Sequence, residues 1–256
     1  MGAEVLGLLM YRLIWFQHIH KSAGTLVVNL AKENGEVLFK NNANGNPLDE
    51  NGNLLELWNY NTKKLTQFID QCEREGVTFV ATEHGSPDFR FLSEDDRVFL
   101  MTSLREPISR AISNYNHAYF AEYTESSSLD AFLSENTFFM SDNFYTRTFA
   151  RKEQFPVVKL DFSDVDDAVS VIGLFDLVLK IEQVDLVKEL SKEFDWQNTK
   201  VDSHPTYGDP WKFWNLLKKM RFNRLLRYIL RLDAPGDFSV LENRYNLDNE
   251  LLKQID

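Results

Sequence analysis

Short apolar runs alternate with amphipathic stretches along most of the chain. Residues 13–19 (LIWFQHI) form a compact run rich in β-forming side chains, which predicts a buried strand. A polar turn that contains a glycine follows, and residues 25–31 have the composition of a helix start. The pattern therefore predicts a strand, a loop and a helix in succession.

The same succession recurs further along the chain. Residues 77–81 (VTFVA) and 97–103 (RVFLMTS) predict two more buried strands. We expect a helix capped at Thr62 and ended by Gly76 before the first of these strands, and a helix that begins at Pro107 after the second.

The carboxyl-terminal half continues the alternation. Residues 157–160 and 176–181 predict short strands, and residues 163–174 and 184–194 predict helices. Strands that alternate with helices form a parallel sheet covered on both faces. We therefore expect a single α/β domain over residues 1–256, with a central parallel sheet flanked by helices and P-loop-like topology. The polar segment 41–53 (NNANGNPLDENGN) is expected to be a flexible loop.

The charge balance limits the partners of the protein. A net charge of -11 and an isoelectric point near 5.0 argue against a protein that coats nucleic acid, because that function requires a broad basic surface. Any anion site must therefore be local.

Cysteine content and hydropathy indicate the cellular compartment in which the protein is expected. Cys72 is the only cysteine, so no intramolecular disulfide can form, and its helical spacing predicts a buried core thiol. The apolar stretch 5–10 is short and has neither a cationic segment nor a cleavage site beside it, and no window reaches the roughly 20 apolar residues of a membrane span. We expect a soluble, cytoplasmic protein without a transmembrane segment.

The most informative segment is 18–25 (HIHKSAGT), between the first predicted strand and helix. A glycine-containing turn there lets backbone N–H groups and a helix N-terminus face an anion, and Lys21, Ser22 and Thr25 add side-chain donors. The lysine precedes the glycine, so the segment does not fit the nucleotide triphosphatase pattern GxxxxGK[ST].

A second anion motif follows another strand, in residues 104–117 (LREPISRAISNYNH). Arg105 lies at the carboxyl end of that strand, where open α/β sheets bind ligands. Ser113 lies about two turns into the next helix, and Arg110 and Asn114 are expected on that helix's surface.

These two segments resemble motifs of the carbohydrate sulfotransferases, particularly the heparan and dermatan sulfate 2-O-sulfotransferases and their bacterial relatives. The first is similar to the 5'-phosphosulfate loop HIPKTGGT, with His20, Ser22 and Ala23 as departures, and the second to the 3'-phosphate motif RxPxxRxxSxY. Residues 142–148 (DNFYTRT), 175–182 and 241–252 resemble further bacterial segments, so the resemblance covers nearly the full length.

The resemblance implies a sulfotransferase fold and 3'-phosphoadenosine-5'-phosphosulfate (PAPS) as cosubstrate, with 3',5'-adenosine bisphosphate (PAP) as product and no metal. Lys21 would also act on the leaving oxygen. Residues 204–207 would cover the nucleotide. The implied nucleotide-binding residues are Lys21, Ser22, Ala23, Gly24, Thr25, Arg105, Ser113 and Tyr207.

The acceptor hydroxyl requires a base to remove its proton. The resemblance points to His84, directly after the second strand, with Glu83 as the alternative. A structural role is favoured for His18 and His117, and solvent exposure is the simple expectation for His20.

Three questions stay open in the sequence. The acceptor is a hydroxyl compound, either an anionic glycan, a glycolipid or a metabolite. Residues 211–232 hold seven Lys or Arg and no acid, which fits either an ordinary packing helix or a cationic insertion that docks an anionic acceptor, carrier or membrane surface. A P-loop kinase and an inactive nucleotide- or glycan-binding module are the rival functions.

Overall fold

A four-stranded parallel sheet lies at the centre of the computed structural model, which describes residues 11–135, 138–152, 158–201 and 207–255. The strand order is β4-β1-β5-β6, and every neighbouring pair is parallel. A two-stranded antiparallel sheet pairs β2 with β3. The strands are β1 Leu13–Gln17, β2 Asn42–Ala43, β3 Asn46–Pro47, β4 Phe79–Thr82, β5 Val98–Leu104 and β6 Leu177–Lys180.

Helices cover both faces of the sheet, as the alternating pattern predicts. Short 3₁₀ turns occupy Leu57–Asn59 and Phe138–Met140. The helices are α1 Gly24–Glu33, α2 Thr62–Glu75, α3 Phe89–Leu92, α4 Pro107–Phe120, α5 Leu129–Leu133, α6 Phe144–Phe149, α7 Phe162–Ile172, α8 Leu186–Phe194, α9 Pro210–Lys218, α10 Phe222–Ile229, α11 Val240–Arg244 and α12 Asn246–Gln254.

The central strand β1 divides the core because successive side chains of a strand point to opposite faces. Leu13 and Trp15 pack with α2, α7 and α12, while Ile14 and Phe16 pack with α1 and α8. All four side chains are buried. Cys72 is buried in the first cluster, as the sequence predicts.

A third cluster lies beyond the sheet. Tyr115 and Tyr119 of α4 pack there with Leu216 of α9 and with Leu225 and Tyr228 of α10. The segment 211–232 is thus two helices and not one. Met220, at φ 56° in the left-handed region, lies in the turn between them.

Several boundaries differ from the sequence expectations. Asn61, not Thr62, caps α2, because its side chain accepts from the Lys64 N–H at 3.0 Å. Of the predicted strand 157–160, residue 157 lies outside the described residues and the other three form no strand; Leu160 instead enters the first core cluster just before α7.

The segment 41–53, expected to be a flexible loop, contains the β2–β3 hairpin. Its backbone is tied to β4, since the Ala81 N–H donates to the Gly45 carbonyl at 2.9 Å. The Asn46 side chain accepts from the Glu83 N–H at 2.7 Å. The hairpin therefore fixes the backbone at the carboxyl end of β4. Within the described ranges, no helix has the length and apolar character needed to cross a membrane.

Candidate active site

The loop between β1 and α1 forms a tight turn with two left-handed residues. Lys21 and Ala23 have φ angles of 66° and 65°, and the Ser22 N–H donates to the Ile19 carbonyl at 3.1 Å. Such turns direct backbone N–H groups into an anion-binding concavity. A glycine is favoured at the position of Ala23, so this residue strains the loop by about 1 kcal/mol.

Gly24 is required by a close approach. A Cβ at this position would lie 1.8 Å from the imidazole of His18, which is buried against the first turn of α1. The helix N-terminus has no side-chain cap and no acidic residue in its first turn. Its N–H groups and the positive end of its dipole are therefore available to an anion.

Arg105, at the end of β5, is held by residues from two distant segments. The Tyr145 hydroxyl donates to the Arg105 carbonyl at 2.6 Å and accepts from the Arg105 N–H at 3.2 Å. The Glu182 carboxylate accepts from Arg105 Nε and from the Glu106 N–H, each at 3.2 Å. The DNFYTRT segment and the strand that precedes Glu182 thus position the second anion motif.

Most of the residues predicted to bind anions line one cleft of about 570 Å³. Because the carboxyl ends of parallel strands meet at one edge of a sheet, both motifs open into the same space. The predicted residues that line it are Lys21, Ala23, Gly24, Thr25, Glu83, Arg105 and Ser113, together with the unassigned His18, His20, Asn44 and His117.

Ser22 and Tyr207, also predicted to bind nucleotide, do not line this cleft. Ser22 is fully buried, and its carbonyl accepts from the Ser103 hydroxyl at 2.6 Å. The Tyr207 ring packs 5.4 Å from Phe120 in the third cluster, and its hydroxyl donates to the Leu232 carbonyl at 3.1 Å. Residues 204–206 of the expected cover lie outside the described residues.

The cleft is electropositive at one end. Burial lowers the pKa of Lys21 to about 8, and the nearby charges of Lys212 and Arg105 act in the same direction while Glu83 opposes them. Lys212 of α9 is only 3% exposed. Lys212 was not among the site residues predicted from sequence, because the burial of its side of α9 is visible only in the structure.

A carboxylate and an imidazole form a hydrogen-bonded pair in the cleft. Glu83 Oε1 lies 2.7 Å from His20 Nδ1, and Glu83 Oε2 lies 3.6 Å from His18 Nδ1. Burial opposes ionisation of Glu83, but the nearby His18 and the bonded His20 outweigh it and hold the pKa of the carboxyl below its usual range. Burial lowers the pKa of His20, so at neutral pH the pair is a carboxylate and a neutral imidazole.

His20 therefore does not simply face solvent. Its ring stacks on Phe139 with centroids 4.1 Å apart, and its side chain is 20% exposed. A hydrogen bond from Nδ1–H to Glu83 leaves the lone pair on Nε2, the arrangement that lets an imidazole accept a proton.

His84, the favoured base, lines a second cavity of about 800 Å³ and not the cleft. Its ring lies 5.4 Å from that of Phe139, whose ring also contacts His20, so Phe139 stands between the two spaces. The second cavity also presents Trp58 and Arg151, together with Asn53, Asn59 and Lys152.

Arg110 is a correction to the sequence analysis, which expected it on the helix surface. Its side chain is fully buried, with its guanidinium 4.5 Å from the ring centre of Phe144 and a hydrogen bond of 2.9 Å to the Phe139 carbonyl. Asn114 is buried as well and approaches the same carbonyl at 3.4 Å. Both residues hold the backbone of Phe139, whose ring stacks on His20 in the cleft.

Asp248 of α12 is a buried anchor that the sequence analysis missed. Its carboxylate accepts from the N–H groups of Tyr145 at 3.0 Å and Thr146 at 2.8 Å. Burial raises the pKa of Asp248 to about 6, against the lowering effect of these hydrogen bonds. The closing helix therefore holds Tyr145, which in turn holds Arg105.

A scan against protein-family models and a search of curated proteins found no match for this chain. Within the described part of the chain, no group of three or more His, Cys, Asp or Glu side chains could hold a metal ion.

Proposed function

We propose that the protein is a sulfotransferase that moves a sulfuryl group from PAPS to an acceptor hydroxyl, on a P-loop-like sulfotransferase fold. The observation that carries this proposal is the single cleft that joins both anion motifs. Lys21, Gly24 and Thr25 line it from one motif, and Arg105 and Ser113 line it from the other.

Two separate anion sites fit a nucleotide with phosphates on both sides of its ribose. The N-terminus of α1 and Lys21 would hold the 5'-phosphosulfate, and Arg105 with Ser113 would hold the 3'-phosphate. A volume of about 570 Å³ is within the usual range for ligand pockets.

The reaction breaks the bond between sulfur and the bridging oxygen and forms a bond between sulfur and the acceptor oxygen. Negative charge develops on the bridging oxygen, and a cation aimed at it stabilises the transition state. Lys21 supplies that charge, since with a pKa of about 8 it is mostly protonated at pH 7.

The proton of the acceptor hydroxyl requires a base in the same cleft. The geometry favours His20, with its Nε2 as proton acceptor and Glu83 orienting the ring through Nδ1. Glu83 as the direct base and His84 from the neighbouring cavity are the competing assignments, and substitutions distinguish all three.

The second cavity supports a carbohydrate as acceptor. Trp58 offers an aromatic face, and Asn53, Asn59, Arg151 and Lys152 offer polar and cationic groups. Because Phe139 contacts both His20 and His84, an acceptor bound there would reach the cleft past this ring. A glycolipid or an anionic metabolite would use the same groups.

Calorimetry with PAP tests the proposal. We expect binding with 1:1 stoichiometry and a rise in melting temperature with PAP concentration. ATP with Mg²⁺ is the control for the kinase alternative, which gains support if ATP is hydrolysed. No heat of binding at millimolar PAP refutes the sulfotransferase assignment.

Turnover is measured by transfer of radiolabelled sulfuryl groups from PAPS to a panel of glycans, glycolipids and small hydroxyl compounds. Labelled product identifies the acceptor class. Tight PAP binding without a labelled product on any acceptor would instead support the inactive nucleotide-binding module.

A further inference from the structure

The outer surface of α9 and α10 concentrates exposed apolar side chains. Of the thirteen large hydrophobic residues that are exposed in the described ranges, eight lie between residues 211 and 232. We call this set the α9–α10 face. Its members are Trp211, Trp214, Met220, Phe222, Leu226, Ile229, Leu230 and Leu232, each 47 to 69% exposed.

This face does not result from poor packing of the two helices. Trp211 and Trp214 are spaced i, i+3 on α9, while Leu216 on the same helix is buried in the third cluster. Phe222, Leu226 and Ile229 are spaced i, i+4, i+7 on α10, and Leu225 and Tyr228 are buried. Each helix already packs one side on the protein and presents a second apolar side to solvent.

Cations border the α9–α10 face. Arg224 and Lys212 are buried, and Lys219 and Arg221 contact Glu122 at 2.8 and 3.0 Å. Lys218 and Arg231 are exposed and, within the described part of the chain, contact no carboxylate. Five of the seven cations of the segment are not buried, one more than the carboxylates that contact or flank it, namely Asp209, Glu122, Glu125 and Asp233.

The charge and the apolar area of the α9–α10 face together indicate which kind of partner it binds. A second copy in a two-fold dimer would set this cationic face against itself, which costs electrostatic energy. A soluble polyanion would satisfy the cations but leave the aliphatic side chains in water. An anionic lipid surface satisfies both, because headgroups attract Lys and Arg while Trp, Phe and Leu enter the interface.

We propose that the α9–α10 face docks on a membrane surface that contains anionic lipid. The helices lie in the interface and do not span it. In a protein with a net charge of -11, a local cationic and apolar face also sets the orientation of docking.

Docking would place α9 between the lipid surface and the cleft. Trp211 and Trp214 are exposed on this helix, whereas its buried Leu216 packs with Tyr115 of α4, the helix that contributes Ser113 and His117 to the cleft. Where the proposed sulfotransferase function holds, this arrangement favours an acceptor whose hydroxyl belongs to a lipid headgroup.

Vesicle co-sedimentation tests the docking itself. The full chain is mixed with phosphatidylglycerol–phosphatidylcholine vesicles and with pure phosphatidylcholine vesicles, and tryptophan emission is recorded. We expect stronger partitioning and a blue shift with the anionic vesicles, with both reduced by salt.

Two variants with matched burial make the test specific. The triple variant Trp214→Ser, Phe222→Ser and Ile229→Ser is expected to lower the anionic-vesicle partition coefficient by about 100-fold or more. The control variant Val37→Ser and Phe162→Ser, at residues 48 and 65% exposed outside this face, should partition like the wild type. Circular dichroism and the melting temperature check that both variants fold.

Two results would overturn the proposal. One is equal partitioning of the wild type and the triple variant. The other is a dimer in sedimentation velocity that the triple variant abolishes, without vesicle binding by the wild type. Neither outcome depends on PAP, so a protein that binds vesicles but not PAP would refute the proposed function and leave the docking inference intact.

Discussion

Replacing Arg105 with alanine should weaken PAP binding without unfolding the site. The Tyr145 hydroxyl holds the Arg105 backbone through both its carbonyl and its N–H, and these bonds do not involve the Arg105 side chain. The side chain itself is 31% exposed and its ion pair with Glu182 is partly solvated, so its loss should change the free energy of unfolding by less than about 1 kcal/mol.

The expected change in affinity follows from the contact that is lost. A charge-assisted hydrogen bond between a guanidinium and a phosphate contributes about 1.5 to 3 kcal/mol, which corresponds to a rise in the Kd of PAP of about 10- to 150-fold. Arg105→Lys keeps the charge but loses the planar donor pair, so its Kd should fall between those of the wild type and the alanine variant.

Isothermal titration calorimetry with PAP measures these affinities, and Arg151→Ala is the matched control. Arg151 is 41% exposed and ion-paired with Asp88 at 3.3 Å, but it lines the second cavity. Its replacement should leave the Kd of PAP within about twofold. Unchanged PAP affinity in Arg105→Ala, with weakened binding in Arg151→Ala, would refute the placement of the 3'-phosphate at Arg105.

The remaining predictions concern the base, the loop and the lysine. His20→Gln and Glu83→Gln should each lower the rate of sulfuryl transfer from radiolabelled PAPS by about 10²- to 10⁴-fold at unchanged PAP affinity. Full activity in both variants, together with loss of activity in His84→Ala, would identify His84 as the base. Ala23→Gly should raise the free energy of unfolding by up to about 1 kcal/mol in urea titrations, because it relieves the left-handed strain; a lower value would contradict that strain. Since the pKa of Lys21 is lowered to about 8, PAP affinity should fall as the pH rises through 8 to 9, and Lys21→Ala should lack this dependence. The same lowered pKa means that Lys21 holds its proton less tightly in the folded state, so its contribution to stability should rise between pH 8 and 10.5, and an identical stability profile in Lys21→Ala would contradict it.

The α/β fold with a central parallel sheet was determined by local features of the sequence. The apolar runs of β1 and β5 are long enough to require burial on both faces, and Pro107 fixes the start of α4. Gly24 could be identified from sequence as the glycine of the anion-binding turn, but its close approach to His18 is visible only in the structure. Because parallel strands end at one edge, the meeting of Lys21 and Arg105 followed from the order of strands and loops.

Only the tertiary structure decided which distant residues complete the cleft. The contacts of Tyr145 with Arg105 and of Asp248 with Tyr145 join segments 40 and 103 residues apart, and no local pattern encodes such pairs. Whether His20 or His84 shares the cleft with Glu83 depends on side-chain directions at strand ends, which hydrophobic periodicity does not specify. The division of segment 211–232 into two helices, with one apolar side buried and another exposed, likewise depended on packing against α4, because an amphipathic sequence specifies that a side is apolar and not what covers it.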